Sequence, residues 1–71
     1  MDVRSEIAAL VWEIEVAEGA QVGAEDVLMI LESMKMEVPV VAPLAGRVVS
    51  IRVAEGARVN EDDVLAVIEP A

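Results

Sequence analysis

Apolar and polar residues alternate with a period of two in two stretches of the chain, near residues 10–16 and 45–53. Such alternation is typical of β-strands that bury one face and leave the other in water. The polar positions are glutamate in the first stretch and serine or arginine in the second. The apolar positions, which we expect to face the core, are Trp12, Ile14, Val16, Val49, Ile51 and Val53.

Two other segments, Val27–Leu31 and Val64–Ile68, are apolar almost throughout, which indicates strands that are covered on both faces. Glycine follows glutamate at Gly19 and Gly56, and each Glu-Gly pair predicts a tight turn. Turn residues recur at short intervals, which favours a compact β-sandwich or barrel. The predicted strands lie near residues 3–9, 10–16, 21–22, 27–33, 36–42, 45–53, 58–59 and 64–69.

The chain contains an internal repeat. Residues 11–34 and 48–71, aligned with an offset of 37, are identical at 12 of 24 positions. Two copies are too few for a solenoid, which needs at least about three stacked units. We therefore predict a single all-β domain over residues 1–71, built from two halves that are related by a pseudo-two-fold axis.

Lys35 is the only lysine of the chain, and it stands between Met34 and Met36, where two apolar segments meet. In the repeat it would be matched by position 72, one past the last residue. The repeat therefore places this hairpin at one pole of the domain and the C-terminus at the opposite pole. Because methionine usually fills gaps in cores, a solvated lysine beside two core methionines is the plain alternative.

Composition excludes several classes of function. The formal net charge of the 71 residues is −9, with neither cysteine nor histidine. So acidic a surface repels phosphate backbones and anionic lipids, which argues against nucleic-acid and membrane-surface binding. No apolar run approaches the roughly 20 residues that span a bilayer, and no signal-peptide core is present, so we expect a cytosolic protein. No metal site is expected, because only carboxylates are available as ligands.

Catalysis within this chain is not expected. The sequence offers no Ser/His or Cys/His pair and no glycine-rich phosphate loop. A Schiff-base lysine needs burial or a neighbouring cation, whereas the charges nearest to Lys35 in the sequence are Glu32 and Glu37. We therefore interpret Lys35 as a target of another protein's chemistry.

The segment Glu32–Met36, with the sequence Glu-Ser-Met-Lys-Met, is similar to the Glu-Ala-Met-Lys-Met signature of biotin carboxyl carrier domains. Nearly the whole chain resembles the biotinyl/lipoyl-attachment family, whose quasi-symmetric halves and Glu-Gly turns it shares. The resemblance implies a flattened β-barrel of two four-stranded antiparallel sheets, with the modified lysine on an exposed hairpin opposite the paired termini. Gly46 matches the glycine that opens the second half in this family. The insertion that forms a protruding thumb in some acetyl-CoA carboxylase carriers is absent.

The resemblance implies that a biotin–protein ligase attaches biotin covalently to Lys35, with Met34 and Met36 flanking the attachment site. The biotin would then carry a carboxyl group between two partner subunits, a biotin carboxylase and a carboxyltransferase. Glu32 and Glu37 would help partners to recognise the domain. Since the chain has no Ala/Pro-rich linker, it resembles a small stand-alone biotinyl protein that its partners bind in trans.

Two alternatives stay open at this point. Lipoyl carriers of 2-oxo-acid dehydrogenase or glycine-cleavage systems share the fold, but they usually place Asp before and Ala after their lysine. The methionines of this chain therefore favour biotin. The second alternative is an unmodified β-barrel interaction module without a prosthetic group.

Overall fold

The computed structural model describes all 71 residues and contains eight β-strands and no helix, so no helix could cross a membrane. The strands are β1 (Asp2–Arg4), β2 (Ala9–Ile14), β3 (Gln21–Val22), β4 (Val27–Ser33), β5 (Met36–Val41), β6 (Gly46–Ile51), β7 (Arg58–Val59) and β8 (Val64–Pro70). They form two four-stranded antiparallel sheets. Sheet A has the order β1-β8-β6-β3, and sheet B has the order β5-β4-β2-β7.

The all-β prediction and the division into two four-stranded sheets are confirmed. The predicted strands over residues 21–22, 27–33 and 58–59 have the observed bounds, and four others differ by one or two residues at one or both ends. An offset of 37 residues converts β2, β3 and β4 into β6, β7 and β8 with identical bounds. The repeat is therefore a repeat of structure as well as of sequence.

The first strand was predicted too long, because β1 ends at Arg4 and not at residue 9. Ser5 explains the difference. Its hydroxyl is buried and donates to the carbonyl oxygen of Ile7 at 2.6 Å, which turns the chain. The backbone of Ser5 bonds to Asp62 and Asp63 on the segment that leads into β8.

The expectation that Trp12 and Val49 face the core is wrong, because β2 and β6 each carry a bulge. The pairing of β2 with β4 shifts between Val11 and Glu13, and the pairing of β6 with β8 shifts at the matching place. Val11 and Val48 are fully buried, whereas Trp12 is 48% exposed and Val49 is 43% exposed. A bulge inserts one residue and so reverses the alternation. The other alternating positions pack against the core as expected: Ile14, Val16, Ile51 and Val53.

The glutamate of each Glu-Gly turn accepts a hydrogen bond from a strand of the opposite half. The Glu55 carboxylate accepts the backbone N–H of Ile14 at 2.9 Å, and the Glu18 carboxylate accepts that of Ile51 at the same distance. The glycines that follow these glutamates have φ values of 90° and 89°, as tight turns require. The glutamates therefore tie the two halves together, a role that sequence alone did not reveal.

The core is divided into two clusters that the two-fold axis exchanges. β4 contributes Leu28 to one cluster and, nearer its end, Leu31 to the other. β8 runs in the opposite sense, from Leu65 in the second cluster to Ile68 in the first. Because β4 leads to the Lys35 turn and β8 leads to the C-terminus, these features lie at opposite ends of a body of 34 × 17 × 17 Å, as the repeat predicts.

The carboxylates of Glu13, Glu15 and Glu55 lie close together where the Glu55 turn contacts β2. The side-chain hydrogen bond with Glu13 raises the pKa of the Glu15 carboxyl above its ordinary value of 4.5, and repulsion by Glu13, desolvation and repulsion by Glu55 act in the same direction. The matching positions of the second half hold Ser50 and Arg52, joined by a 2.9 Å hydrogen bond. The repulsion is therefore confined to the contact between β2 and the turn that contains Glu55.

Glu15→Gln removes one charge from this group and is expected to raise the melting temperature at pH 7. A carboxyl whose pKa is raised by folding costs stability when it is ionised, and this cost disappears as pH falls through the folded pKa. The advantage of Glu15→Gln should therefore shrink as pH is lowered toward about 4. Thermal melts across this range measure the difference, with the exposed corner variant Glu61→Gln as the control. An advantage that does not depend on pH would contradict the interpretation.

Candidate functional site

Lys35 lies in a two-residue turn between β4 and β5. Ser33 pairs with Met36, which leaves Met34 and Lys35 as the only turn residues. Their φ values are 52° and 64°, and positive φ at both positions is the property of the type I′ turn. Such turns favour Asn-Gly or Gly-Gly, because other residues at positive φ carry a strain of about 1 kcal/mol or more each. The turn therefore keeps two long side chains where the backbone alone would favour glycine.

The two methionines are not core residues. Met34 is 90% exposed and Met36 is 64% exposed, and Lys35 between them is exposed as well. Exposed methionine is unusual, since burial of its flexible apolar side chain is favourable. The interpretation of the methionines as gap-fillers is therefore wrong, and the turn displays an amine within an apolar collar.

The carboxylates next to the turn lie directly opposite each other. Glu32 on β4 pairs with Glu37 on β5, one residue pair away from the turn. The two ion pairs of the structure are Asp2–Arg4 at 3.3 Å and Arg47–Glu69 at 3.5 Å, so neither carboxylate is neutralised by a cation and the Lys35 amine is also unpaired. The tip thus carries one free ammonium group and an unpaired acidic pair.

A groove of about 370 Å³ opens beside the turn. It is bordered by the residues that precede the turn, by the start of β2 and by β7, and it includes Leu10 and Arg58. Sequence reasoning missed both residues as part of the site. The signal that could have found Leu10 is the repeat, because the matching residue of the second half is Arg47.

The geometry of the tip suits covalent attachment to the lysine. The amine stands at the outermost point of a hairpin, no carboxylate holds it, and it is the only side-chain amine of the chain. The chain contains no histidine or cysteine that could act as a base or nucleophile. A prosthetic group joined through an amide therefore fits these residues, and the two methionines would border the attached chain.

Comparison with known proteins agrees with this geometry. The family model described as "Biotin-requiring enzyme" (biotin/lipoyl) matches residues 2–68. The "Biotinylated protein TB7.3 homolog" of Mycobacterium leprae is 62% identical over 47 residues, which is 66% of this chain and 66% of the relative, just under two thirds of its length.

Two solved structures share the fold over nearly the whole chain. A single-chain, multi-domain long-chain acyl-CoA carboxylase superposes with a TM-score of 0.95 at 35% identity, covering 100% of this chain and 7% of the carboxylase. The urea carboxylase of Kluyveromyces lactis gives a TM-score of 0.92 at 35% identity, covering 97% of this chain and 6% of that enzyme. In both cases the match is to a small part of a much larger carboxylase. The chain belongs to the biotin/lipoyl-attachment family and has the fold of the biotinyl domains of biotin-dependent carboxylases.

Proposed function

We propose that residues 1–71 form one biotinyl domain that acts as a carboxyl carrier, with biotin joined to the side-chain nitrogen of Lys35 through an amide. The observation that carries the proposal is the lone lysine, displayed on a strained turn between two exposed methionines. The names of the relatives and of the carboxylases with the same fold support biotin as the prosthetic group. Flanking methionines, in place of Asp and Ala, favour biotin over lipoate.

The domain itself contributes presentation and not chemistry. A biotin–protein ligase has to deprotonate the Lys35 amine and orient it toward activated biotin, because no group of this chain lies in a position to do either. The strained turn fixes the direction in which the side chain leaves the body. Amide formation removes the positive charge of the lysine and leaves the acidic pair beside it.

Biotin supplies the chemistry of accepting and releasing a carboxyl group once it is bound to the chain. The proposed partners are a biotin carboxylase and a carboxyltransferase, and the proposed compartment is the cytosol. Met34 and Met36 give the tip an adaptable apolar surface that suits entry into more than one active-site mouth. Glu32 and Glu37 add a fixed charge by which partners distinguish the tip.

Intact-mass measurement of the protein isolated from its own host tests the proposal. A single biotinyl increment is expected, and digestion should place it on the peptide that contains Lys35. A lipoyl increment would instead identify a lipoyl carrier, and an unmodified chain would identify an interaction module. Overproduction in a foreign host is avoided, because the host's ligase can fall short of the amount of substrate.

A further inference from the structure

The outer face of sheet B has an unusual row of residues beside the turn. Glu37 pairs with Glu32, Glu32 with Leu10, and Leu10 with Arg58, so the row crosses all four strands. The three charged residues are exposed and Leu10 is half-buried. None of the three charges takes part in an ion pair.

The two-fold axis provides an internal comparison for this row. In sheet A the residue that matches Glu32 is Glu69, and it forms an ion pair at 3.5 Å with Arg47, which matches Leu10. Opposite charges on neighbouring strands stabilise a sheet, whereas like charges that face each other destabilise it. Sheet B therefore keeps the unfavourable Glu32–Glu37 pair and has replaced the arginine that would relieve it.

The next row differs between the sheets in the same way. In sheet B, Pro39 pairs with Ile30, and Trp12 protrudes from the bulge next to this pair. In sheet A the position of Pro39 is taken by Asp2, which forms an ion pair with Arg4 at 3.3 Å. Sheet A keeps apolar residues at the places of Trp12 and Ile30, which are Val49 and Val67. The sheets differ in kind at two positions: Arg47 and Asp2 of sheet A form ion pairs, whereas the matching Leu10 and Pro39 of sheet B are apolar and lie beside unpaired charge. The residues of this surface of sheet B, here named the hairpin-side face, are Leu10, Trp12, Ile30, Glu32, Glu37 and Pro39.

Folding does not account for this asymmetry. The strands β2, β3 and β4 have the same bounds as β6, β7 and β8, and the bulges match. Sheet A therefore shows that charged, ion-paired residues at the positions of Leu10 and Pro39 are compatible with this backbone. An exposed apolar patch with a charged border usually marks a protein interface. β4 and β5 lead directly from this patch to Lys35, so an enzyme that reaches the lysine amine arrives at this end of the sheet.

We propose that the hairpin-side face is the docking surface for the biotin–protein ligase that modifies Lys35. The proposal rests on the function proposed above. The contact surface of the ligase presents apolar side chains toward Leu10 and Trp12, and arginine or lysine side chains toward Glu32 and Glu37. The groove beside Leu10 receives part of this surface.

Reach favours the ligase over the carboxylase subunits as the occupant. The ligase must bring an unmodified lysine, with only its own side chain as a tether, into an active site. It therefore has to approach the body of the domain closely. The carboxylase subunits act on a group at the end of the much longer biotinyl-lysine tether and need less contact with the sheet.

Charge disfavours a second copy of this chain as the occupant. A two-fold symmetric contact places the same surface patch on both sides of the interface. Such a dimer would bring the unpaired Glu32 and Glu37 of both copies into one interface with only Arg58 of each copy to offset them, and each chain has a net charge of −9. A cationic partner removes this repulsion, which is the complementarity that speeds association of unlike proteins.

Leu10→Arg tests the proposal because it gives sheet B the residue that sheet A has at the matching position, Arg47. The new arginine lies opposite Glu32 as Arg47 lies opposite Glu69, so the variant is expected to fold. It removes the apolar side chain at position 10 and pairs the carboxylate of Glu32 with a cation. With purified ligase from the same organism, biotin and ATP, the KM for this variant should rise about tenfold with kcat nearly unchanged. The matched control is Arg47→Leu, whose KM should stay within about twofold of the wild-type value.

Trp12→Val is the second variant. It introduces the residue found at the matching position of sheet A, Val49, and so reduces the apolar area without changing the charge. Its KM should also rise, and its rate should keep the wild-type dependence on salt, which Leu10→Arg weakens. Wild-type kinetics in both variants would overturn the docking proposal. So would concentration-dependent self-association of the wild type that either variant abolishes, since the face would then join two copies.

The same assay separates this inference from the function on which it rests. Equal biotinylation of the wild type and both variants at Lys35 would overturn the docking surface and leave the carrier function standing. A wild type that the ligase does not modify at all would overturn both. Thermal melts of each variant show that any loss comes from binding and not from unfolding.

Discussion

Lys35→Arg should abolish biotin incorporation completely while leaving the fold intact. Arginine keeps the charge and the length of the side chain, and it meets the same positive φ that Lys35 already adopts, so the turn is not further strained. Its guanidinium cannot form the amide, because it stays protonated in proteins. After incubation with ligase, biotin and ATP, neither a mass increment nor a streptavidin signal is expected. The loss should be all-or-none, because Lys35 is the only lysine of the chain.

A relocated lysine is the matched control for this result. Lys35→Arg combined with Arg58→Lys has the same composition and net charge as the wild type, with the single lysine moved to β7 on the same side of the domain. It should remain unmodified, since the ligase has to receive the amine from the turn. The N-terminal ammonium group of Met1 is the other primary amine, and it is held by the carbonyl oxygen of Ile68 at 2.7 Å, at the end opposite Lys35. Streptavidin binding by Lys35→Arg itself would show that the assignment of Lys35 is wrong.

The repeat explains why so much of this fold could be predicted. Once residues 11–34 and 48–71 are seen as two copies, each strand and turn within them is supported twice, because a chance match to a pattern rarely recurs at the same place in both. β1 and β5 lie outside the two copies and lack this support. The positions that the halves share include the turn glycines Gly19 and Gly56, whose positive φ values are indeed equal within one degree. Placing Lys35 opposite the C-terminus needed only this two-fold relation.

The errors have a common physical cause, which is that bulges and side-chain hydrogen bonds break a simple period. Alternation treats Trp12 as equivalent to Ile14, yet the one-residue shift in pairing turns Val11 inward instead. The end of β1 depends on a single side chain, because the hydroxyl of Ser5 donates a hydrogen bond to the carbonyl oxygen of Ile7. Neither effect changes the hydrophobic pattern, so neither could be read from it.

The tip shows the same division between what pattern can and cannot predict. The turn and its lone amine follow from the motif, whereas the exposure of Met34 and Met36 does not, because methionine suits a core and a binding surface equally well. Leu10 and Arg58 reach the tip only through strand pairing, at a distance of more than 20 residues in sequence. The repeat could have pointed to Leu10, since residues that break an otherwise close symmetry are candidates for function and not for folding.

Gly46→Ala should destabilise the domain by about 2–3 kcal/mol. Gly46 is buried where β6 pairs with Pro70 of β8, and a Cβ atom at this position would overlap the backbone oxygen of Glu69 and lie 2.9 Å from Cγ2 of Ile68. Backbone on a central strand cannot move aside as a flexible side chain can. A domain of this size has only about 4–10 kcal/mol of total stability, so such a loss is a large share of it. Urea unfolding at equilibrium measures the change.

Gly23→Ala is the control, because its Cβ atom would meet only the Asp26 carboxylate, at distances of 3.6–3.8 Å that are ordinary contacts. It should leave the free energy of unfolding within about 0.5 kcal/mol of the wild-type value. The equivalent of Gly46 in the first half is Ala9, so the two-fold symmetry does not itself demand glycine. What demands it is the local approach of the Glu69 backbone on β8. Equal stability of Gly46→Ala and Gly23→Ala would therefore mean that β8 lies farther from β6 than the structure shows.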